Sequence, residues 1–224
     1  MNSEKIIFLQ SKQVSNFYHL LVDFLPIIYN TYKRNNSLEI SFDVPDCKLD
    51  LCRSVSLCVF GENVSICSSQ ETTGKNIIEY DKIKGSVNQE FVEYLRKIRS
   101  VDRSNSVKKK ILIKRNNRYI NQKIVLFLKK NGFEEVCFEN YSIIDQANFM
   151  YNADLVVASH GAALTNIIFA SKNTTIIELN NGFNTNLYQR LSKFSEGSYF
   201  QLVENSYDKD NHNESKNYTF YRNL

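Results

Sequence analysis

The sequence predicts an α/β fold of two lobes built on parallel sheets, and three observations predict it. From Ile111 onward, apolar strand-like runs alternate with helical stripes as far as Val203. Such alternation argues for a parallel sheet with helices on both faces. Within it, Asn152 to Leu179 forms a strand–turn–helix–strand unit of the doubly wound kind. A polar run from Arg99 to Lys110 separates this half from an earlier one with strands and helices of its own. The expected division is an N-terminal lobe over 1–105, a C-terminal Rossmann-like lobe over 106–204 and a polar tail over 205–224.

The chain opens on a strand, Lys5 to Leu9. Ser15 can cap the helix that follows. Phe17, Leu20, Leu21, Phe24 and Ile28 then recur at the spacing of one helical stripe. His19 and Asp23 are four apart and stack on the opposite face. Pro26 re-aims the second half of the helix. Short strands are expected at Leu38 to Phe42, Val55 to Phe60, Val64 to Cys67 and Ile77 to Tyr80. Ser86-Val87-Asn88-Gln89 resembles a capping box opening a helix with Phe91, Val92, Leu95 and Ile98 on its buried stripe.

In the second lobe, strand Ile111 to Ile113 leads into Lys114-Arg115. Asn121 caps a helix running to Lys130, closed by Asn131-Gly132. Strand Val136 to Phe138 follows, and Ser142 opens a helix that reaches Tyr151. Strand Leu155 to Ala158 breaks at Ser159-His160-Gly161. A small-residue helix, Ala162 to Ala170, leads to strand Thr174 to Leu179, a helix from about Thr185 to Phe194 and a strand Tyr199 to Val203. The tail from Asn205 lacks Gly and Pro and is expected to be a loose appendage.

With 42% apolar and 12% aromatic residues, the 224-residue chain can bury a real core. Its net charge of +4 is too small to argue for nucleic acid, although it suits an anionic substrate or an anionic membrane surface. Five cysteines without paired spacing read as buried, reduced thiols in a cytosolic protein. No signal peptide is visible, and the apolar stretch Phe17 to Tyr29 is too short and too polar to span a bilayer. A cytoplasmic location, with room for peripheral membrane association, is the expectation.

Ligands of such sheets bind beyond the carboxyl ends of the strands. Arg115, His160 and Glu178 all stand at or near such ends and can share one crevice. The turn at Gly161 and Ala162 is small enough for a ligand to approach the backbone, and amides at a helix start favour an anion such as a diphosphate. The same small residues also serve plain close packing of helix on sheet. No Gly-x-Gly-x-x-Gly occurs, which argues against a dinucleotide-dependent oxidoreductase. The Asp-x-Asp at Asp208-Lys209-Asp210 lies in the polar tail, and no His/Cys cluster has ligand spacing, so no metal is expected.

Three segments together resemble glycosyltransferase family 61. They are Asn16-Phe17-Tyr18-His19-Leu20-Leu21-Val22-Asp23-Phe24-Leu25-Pro26, then Ile111 to Arg115 with Arg118 and Asn121, then Ala153 to Asn166 with its Ser159-His160-Gly161-Ala162 loop, followed by Glu178-Leu179. Leu20 stands where that family has an aromatic residue, and Lys114 where it has Ser. The resemblance implies a GT-B-like enzyme of two Rossmann-like lobes around a cleft, here with a shortened N-terminal lobe. It would move a sugar from a nucleotide-diphosphate donor to an acceptor hydroxyl with inversion, without metal or cofactor, in surface glycan or polysaccharide synthesis. His19 or Asp23 would take the acceptor proton, the other orienting it; the alternative is a helix-face ion pair. Arg115, His160, Gly161, Ala162, Thr165 and Asn166 would bind the donor, and Glu178 would accept hydrogen bonds from its ribose. Arg115 and Glu178 have plainer alternatives as strand-end charges. The partners implied are a nucleotide sugar and a glycan or protein-linked acceptor, with the oligomeric state open. A non-catalytic glycan- or nucleotide-binding subunit of the same fold is the competing function.

Overall fold

The computed structural model describes residues 4–9, 13–34, 38–42, 44–68, 76–79, 87–98, 109–115, 120–180, 185–204 and 218–222. The chain forms two compact units, Met1–Ile98 and Arg99–Leu224.

In the first unit, four strands pair in parallel in the order β3-β2-β1-β4. They are β1 (Glu4–Leu9), β2 (Leu38–Phe42), β3 (Val64–Ser68) and β4 (Asn76–Glu79). That is the order of the first four strands of a dinucleotide-type half. The helix after β1 comes in three pieces: α1 (Phe17–His19), a π-helical turn Leu20–Phe24, and α2 (Leu25–Tyr32). Asn16, not Ser15, is the cap; its side chain accepts from the Tyr18 amide at 3.0 Å. The π turn is closed by the Leu25 amide donating to the Leu20 carbonyl, five residues back. Pro26 explains it. An α-helical register would press the proline ring against the Val22 carbonyl, and the wider turn relieves that clash. Leu20, Leu21, Phe24 and Ile28 of the expected stripe are fully buried, whereas Phe17 is half-buried.

Val55 to Phe60, expected as a strand, belongs instead to a helix, α3 (Asp50–Phe60). Cys52, Val55, Ser56, Val59 and Phe60 are its buried residues, the i, i+3, i+4, i+7, i+8 face of a helix. The mostly apolar text of the last six residues, read alone as a short strand, hid the helical period of the whole eleven. Cys52 is fully buried, and burial pushes its thiol up to about 12. Cys58 and Cys67 are only half-buried and Cys47 is exposed; all five cysteines are free thiols. Helix α4 (Gln89–Arg96) is capped by Asn88, which accepts from the Phe91 amide at 2.9 Å. The expected capping residue Ser86 lies outside the described residues.

The second unit holds a six-stranded sheet, order β10-β9-β8-β7-β5-β6. Its strands are β5 (Lys109–Lys114), β6 (Phe133–Cys137), β7 (Ala153–Ser159), β8 (Thr175–Asn180), β9 (Ser198–Glu204) and β10 (Tyr218–Arg222). β5 to β9 are parallel, and β10 lies antiparallel on β9. The segment expected as a loose tail thus supplies an edge strand. Helices α5 (Gln122–Lys130), α6 (Ile143–Asn152) and α7 (Leu187–Ser192) connect the parallel strands. Asn121 caps α5 at 2.9 Å, and Ser142 caps α6 while its hydroxyl donates to Asp145. Gly132, at φ +83°, ends α5 in the left-handed conformation. The small-residue helix is a 3₁₀ helix, Ala162–Phe169, buried from Ala163 onward.

The parallel strands of this sheet follow the 2-1-3-4-5 order of flavodoxin-like folds. The order in which strands are added reverses between β5 and β7. A crevice forms where connections leave in opposite directions, so the carboxyl ends of β5 and β7 are where a ligand is expected.

Candidate active site

Arg115 is the first residue past β5, and Ser159-His160-Gly161 follow at the end of β7. The switch point therefore brings them together. Gly161 has φ +157° and ψ 172°, a conformation essentially restricted to glycine. A Cβ built on it would lie 2.7 Å from Arg115 Nη1 and 3.5 Å from its Cδ, so the Arg115 side chain lies directly over the glycine. Arg115 Nε donates to Glu139 Oε1 at 3.0 Å. Glu139 stands just past β6, the neighbour of β5, which is why it can reach. Burial pushes the Glu139 carboxyl up, but hydrogen bonds from Cys137 and Arg115 outweigh it and hold it below its ordinary value. Among the described residues neither Nη1 nor Nη2 of Arg115 has a hydrogen-bond partner. The guanidinium is aimed by one carboxylate with its terminal donors unspent.

His160 is buried. Its amide donates to the Leu179 carbonyl at 2.9 Å, and its ring meets Tyr188 edge-on at 5.0 Å. Nδ1 is hydrogen-bonded to Glu178 Oε1. Glu178 is fully buried. Its other oxygen, Oε2, accepts from the Tyr199 hydroxyl and from Gln201 Nε2 at 3.1 Å. Glu178 thus supports His160 and presents no carboxylate to solvent, unlike the plainer alternative of a strand-end charge. Burial first, and the Glu178 charge second, push the Tyr199 phenol far above its ordinary value. Glu139, Tyr199 and Gln201 are the residues that sequence reasoning missed. The available signal was the i, i+2 spacing of Tyr199 and Gln201, which puts both on one face of a strand.

Thr165 and Asn166 are fully buried inside the 3₁₀ helix, whereas Ala162 is half-buried. Asn166 Nδ2 donates to Gln146 Oε1 at 2.8 Å and to the Ala163 carbonyl at 3.0 Å, which locks the helix onto α6. Ser159 Oγ, Thr165 Oγ1 and Asn166 Oδ1 are buried without a partner among the described residues. Arg118 and Asp208 to Asp210 lie outside the described residues.

In the first unit, His19 and Asp23 do meet. Nδ1 and Oδ2 are 2.7 Å apart, with the side chains 29% and 14% exposed. His19 caps the π turn and Asp23 lies within it, and such turns recur at functional sites. Among the described residues no three His, Cys, Asp or Glu gather as a metal site would need, and no helix is long and apolar enough to cross a membrane.

The family model described as Glycosyltransferase 61 matches residues 17–177. The chain belongs to glycosyltransferase family 61. The matched span of this family-61 chain begins with the His19 helix and takes in Arg115 and the His160-Gly161 loop. No curated protein matches. Among solved structures, a conserved hypothetical protein from Sinorhizobium meliloti 1021 is similar at 12% identity and a TM-score of 0.25. That match covers 92% of this chain and 43% of the other, so the chain spans less than half of that protein's length.

Proposed function

We propose that this chain transfers a sugar, with inversion, from a nucleotide-diphosphate donor to an acceptor hydroxyl in glycan or polysaccharide synthesis, as a GT-B-type enzyme. The observation that carries it is Arg115. A guanidinium held over Gly161 by Glu139, with two terminal nitrogens that no described residue engages, suits a diphosphate at the switch point of a parallel sheet. Such a group stabilises the leaving charge as it develops. His160, Gly161 and Ala162 complete the donor site, and Thr165 and Asn166 act from below as its frame. His19 and Asp23 supply the acid–base pair. The hydrogen bond between its Nδ1 and Asp23 orients the His19 ring to take the acceptor proton, and the carboxylate stabilises the imidazolium that forms. The donor is a substrate, and the chemistry needs neither cofactor nor metal, since arginine and backbone amides carry the charge.

The test is calorimetry and thermal shift against nucleoside diphosphates and nucleotide sugars. Arg115→Ala is expected to cost about 1.5–3 kcal/mol of diphosphate affinity, the range for a hydrogen bond to a charged group. Equal affinity in wild type and variant would rule out Arg115 as the anchor. Binding of nucleotide sugars without transfer to any of a panel of glycan acceptors would favour the binding-subunit alternative.

A further inference from the structure

We propose that Glu178, clamped by Tyr199 and Gln201, is the positioning residue that keeps the His160 proton on Nδ1, so that His160 meets a hydroxyl of the bound nucleotide sugar through Nε2. The proposal rests on the donor assignment made above. Strands β8 and β9 run in parallel with Glu178 opposite Gln201 and Ile176 opposite Tyr199. Tyr199 and Gln201 therefore share one face and reach the same carboxylate. A phenol hydroxyl and an amide nitrogen both donate, and both are spent on Oε2. Oε1 is left for His160 Nδ1.

A carboxylate with donors on both oxygens requires a proton on Nδ1. That holds for the neutral and the charged ring alike, so proton exchange and ligand contact are confined to Nε2. His160 is tied to β8 twice, by its amide to Leu179 and by its ring to Glu178. All three supporting residues, Glu178, Tyr199 and Gln201, lie beyond residue 177, where the family match ends.

Glu178→Gln is the decisive variant, because it keeps the shape and changes the donor pattern. The new carbonyl must still accept from Tyr199 and Gln201. Its amide nitrogen is thereby turned toward His160, whose Nδ1 must become an acceptor, and the ring proton moves to Nε2. Long-range ¹⁵N–¹H correlation of the full chain reads this directly, and with three histidines His160 is assigned by His160→Asn. Wild type should show Nδ1–H and Glu178→Gln should show Nε2–H. The Kd of uridine or guanosine diphosphate, whichever wild type binds, should rise about tenfold in the variant, the worth of one hydrogen bond. Tyr199→Phe should keep the wild-type tautomer, since Gln201 still occupies Oε2. Adding it to Glu178→Gln frees the Gln201 amide to rotate and should return the proton to Nδ1. An Nε2–H ring in wild type, or a tautomer indifferent to Glu178→Gln, overturns the proposal. If Glu178→Gln does not fold, loss of Nδ1–H in Tyr199→Phe overturns it equally. The expected tautomers in a protein that binds neither nucleotide would uphold the clamp and overturn the donor assignment instead.

Discussion

Gly161 and Arg115 constrain each other, and that makes the glycine a probe of the arginine. A methyl group at Gly161 would meet Nη1 at 2.7 Å, and the backbone there is one that L residues rarely adopt. Gly161→Ala should therefore displace the guanidinium and weaken diphosphate binding as much as Arg115→Ala does; calorimetry on the two variants, with circular dichroism as the control for folding, checks it. His19 and Asp23 make a second prediction. Asp23→Asn should lower transfer by roughly two to four orders of magnitude, the usual scale for losing a positioned base, and leave donor affinity unchanged. His19→Ala combined with it should cost no more than either alone, because residues working as a unit lose most of their effect at the first deletion. Single-turnover rates and equilibrium binding on the three variants separate these outcomes. Both site pairs could be sought in the sequence because the motif neighbours were explicit: a four-residue helical step for one, a strand end and a glycine turn for the other. What could not be seen was Glu178's direction. Its placement depends on which residues of β9 lie opposite, and a register between strands leaves no local trace.

At the level of the elements, the second unit was legible almost throughout, since caps and periods agreed. Asn121 and Ser142 cap where their spacing says they should. The first unit was legible in its strands but not in α3, where a six-residue, mostly apolar run read by itself outweighed an eleven-residue period. The π turn was hidden as well. Pro26 announces a disturbance, but whether a helix kinks, breaks or widens is decided by packing. A further element-level prediction concerns the tight entry to β9. A Cβ at Gly197 would fall 2.4 Å from the Thr174 carbonyl and 2.9 Å from that of Ser171, both backbone atoms. The Ser198 amide, which donates to Thr174 at 2.9 Å, ties the same spot. Gly197→Ala should destabilise the chain by about 1–3 kcal/mol, as overpacking does. Chemical denaturation with an unchanged m-value would confirm it, and an unchanged midpoint would contradict it.

For the molecule as a whole, all the candidate donor groups belong to the unit Arg99–Leu224, and among the described residues no three His, Cys, Asp or Glu gather there. Transfer should accordingly persist in excess EDTA; loss of activity restored by manganese would refute the metal-independent mechanism. The same unit is finished by its antiparallel edge. β10 comes later in the chain than every other strand of its sheet, yet it covers β9, which carries Tyr199 and Gln201. At about 5–20 residues per second, β9 is synthesised on the order of a second before its cover. A chain that has β9 without β10 can hold the support of His160 while a row of unpaired amides is open to another chain. Stalled or nicked products ending after β9 are thus expected to be the adhesive ones, with a nearly complete donor side and a bare seam.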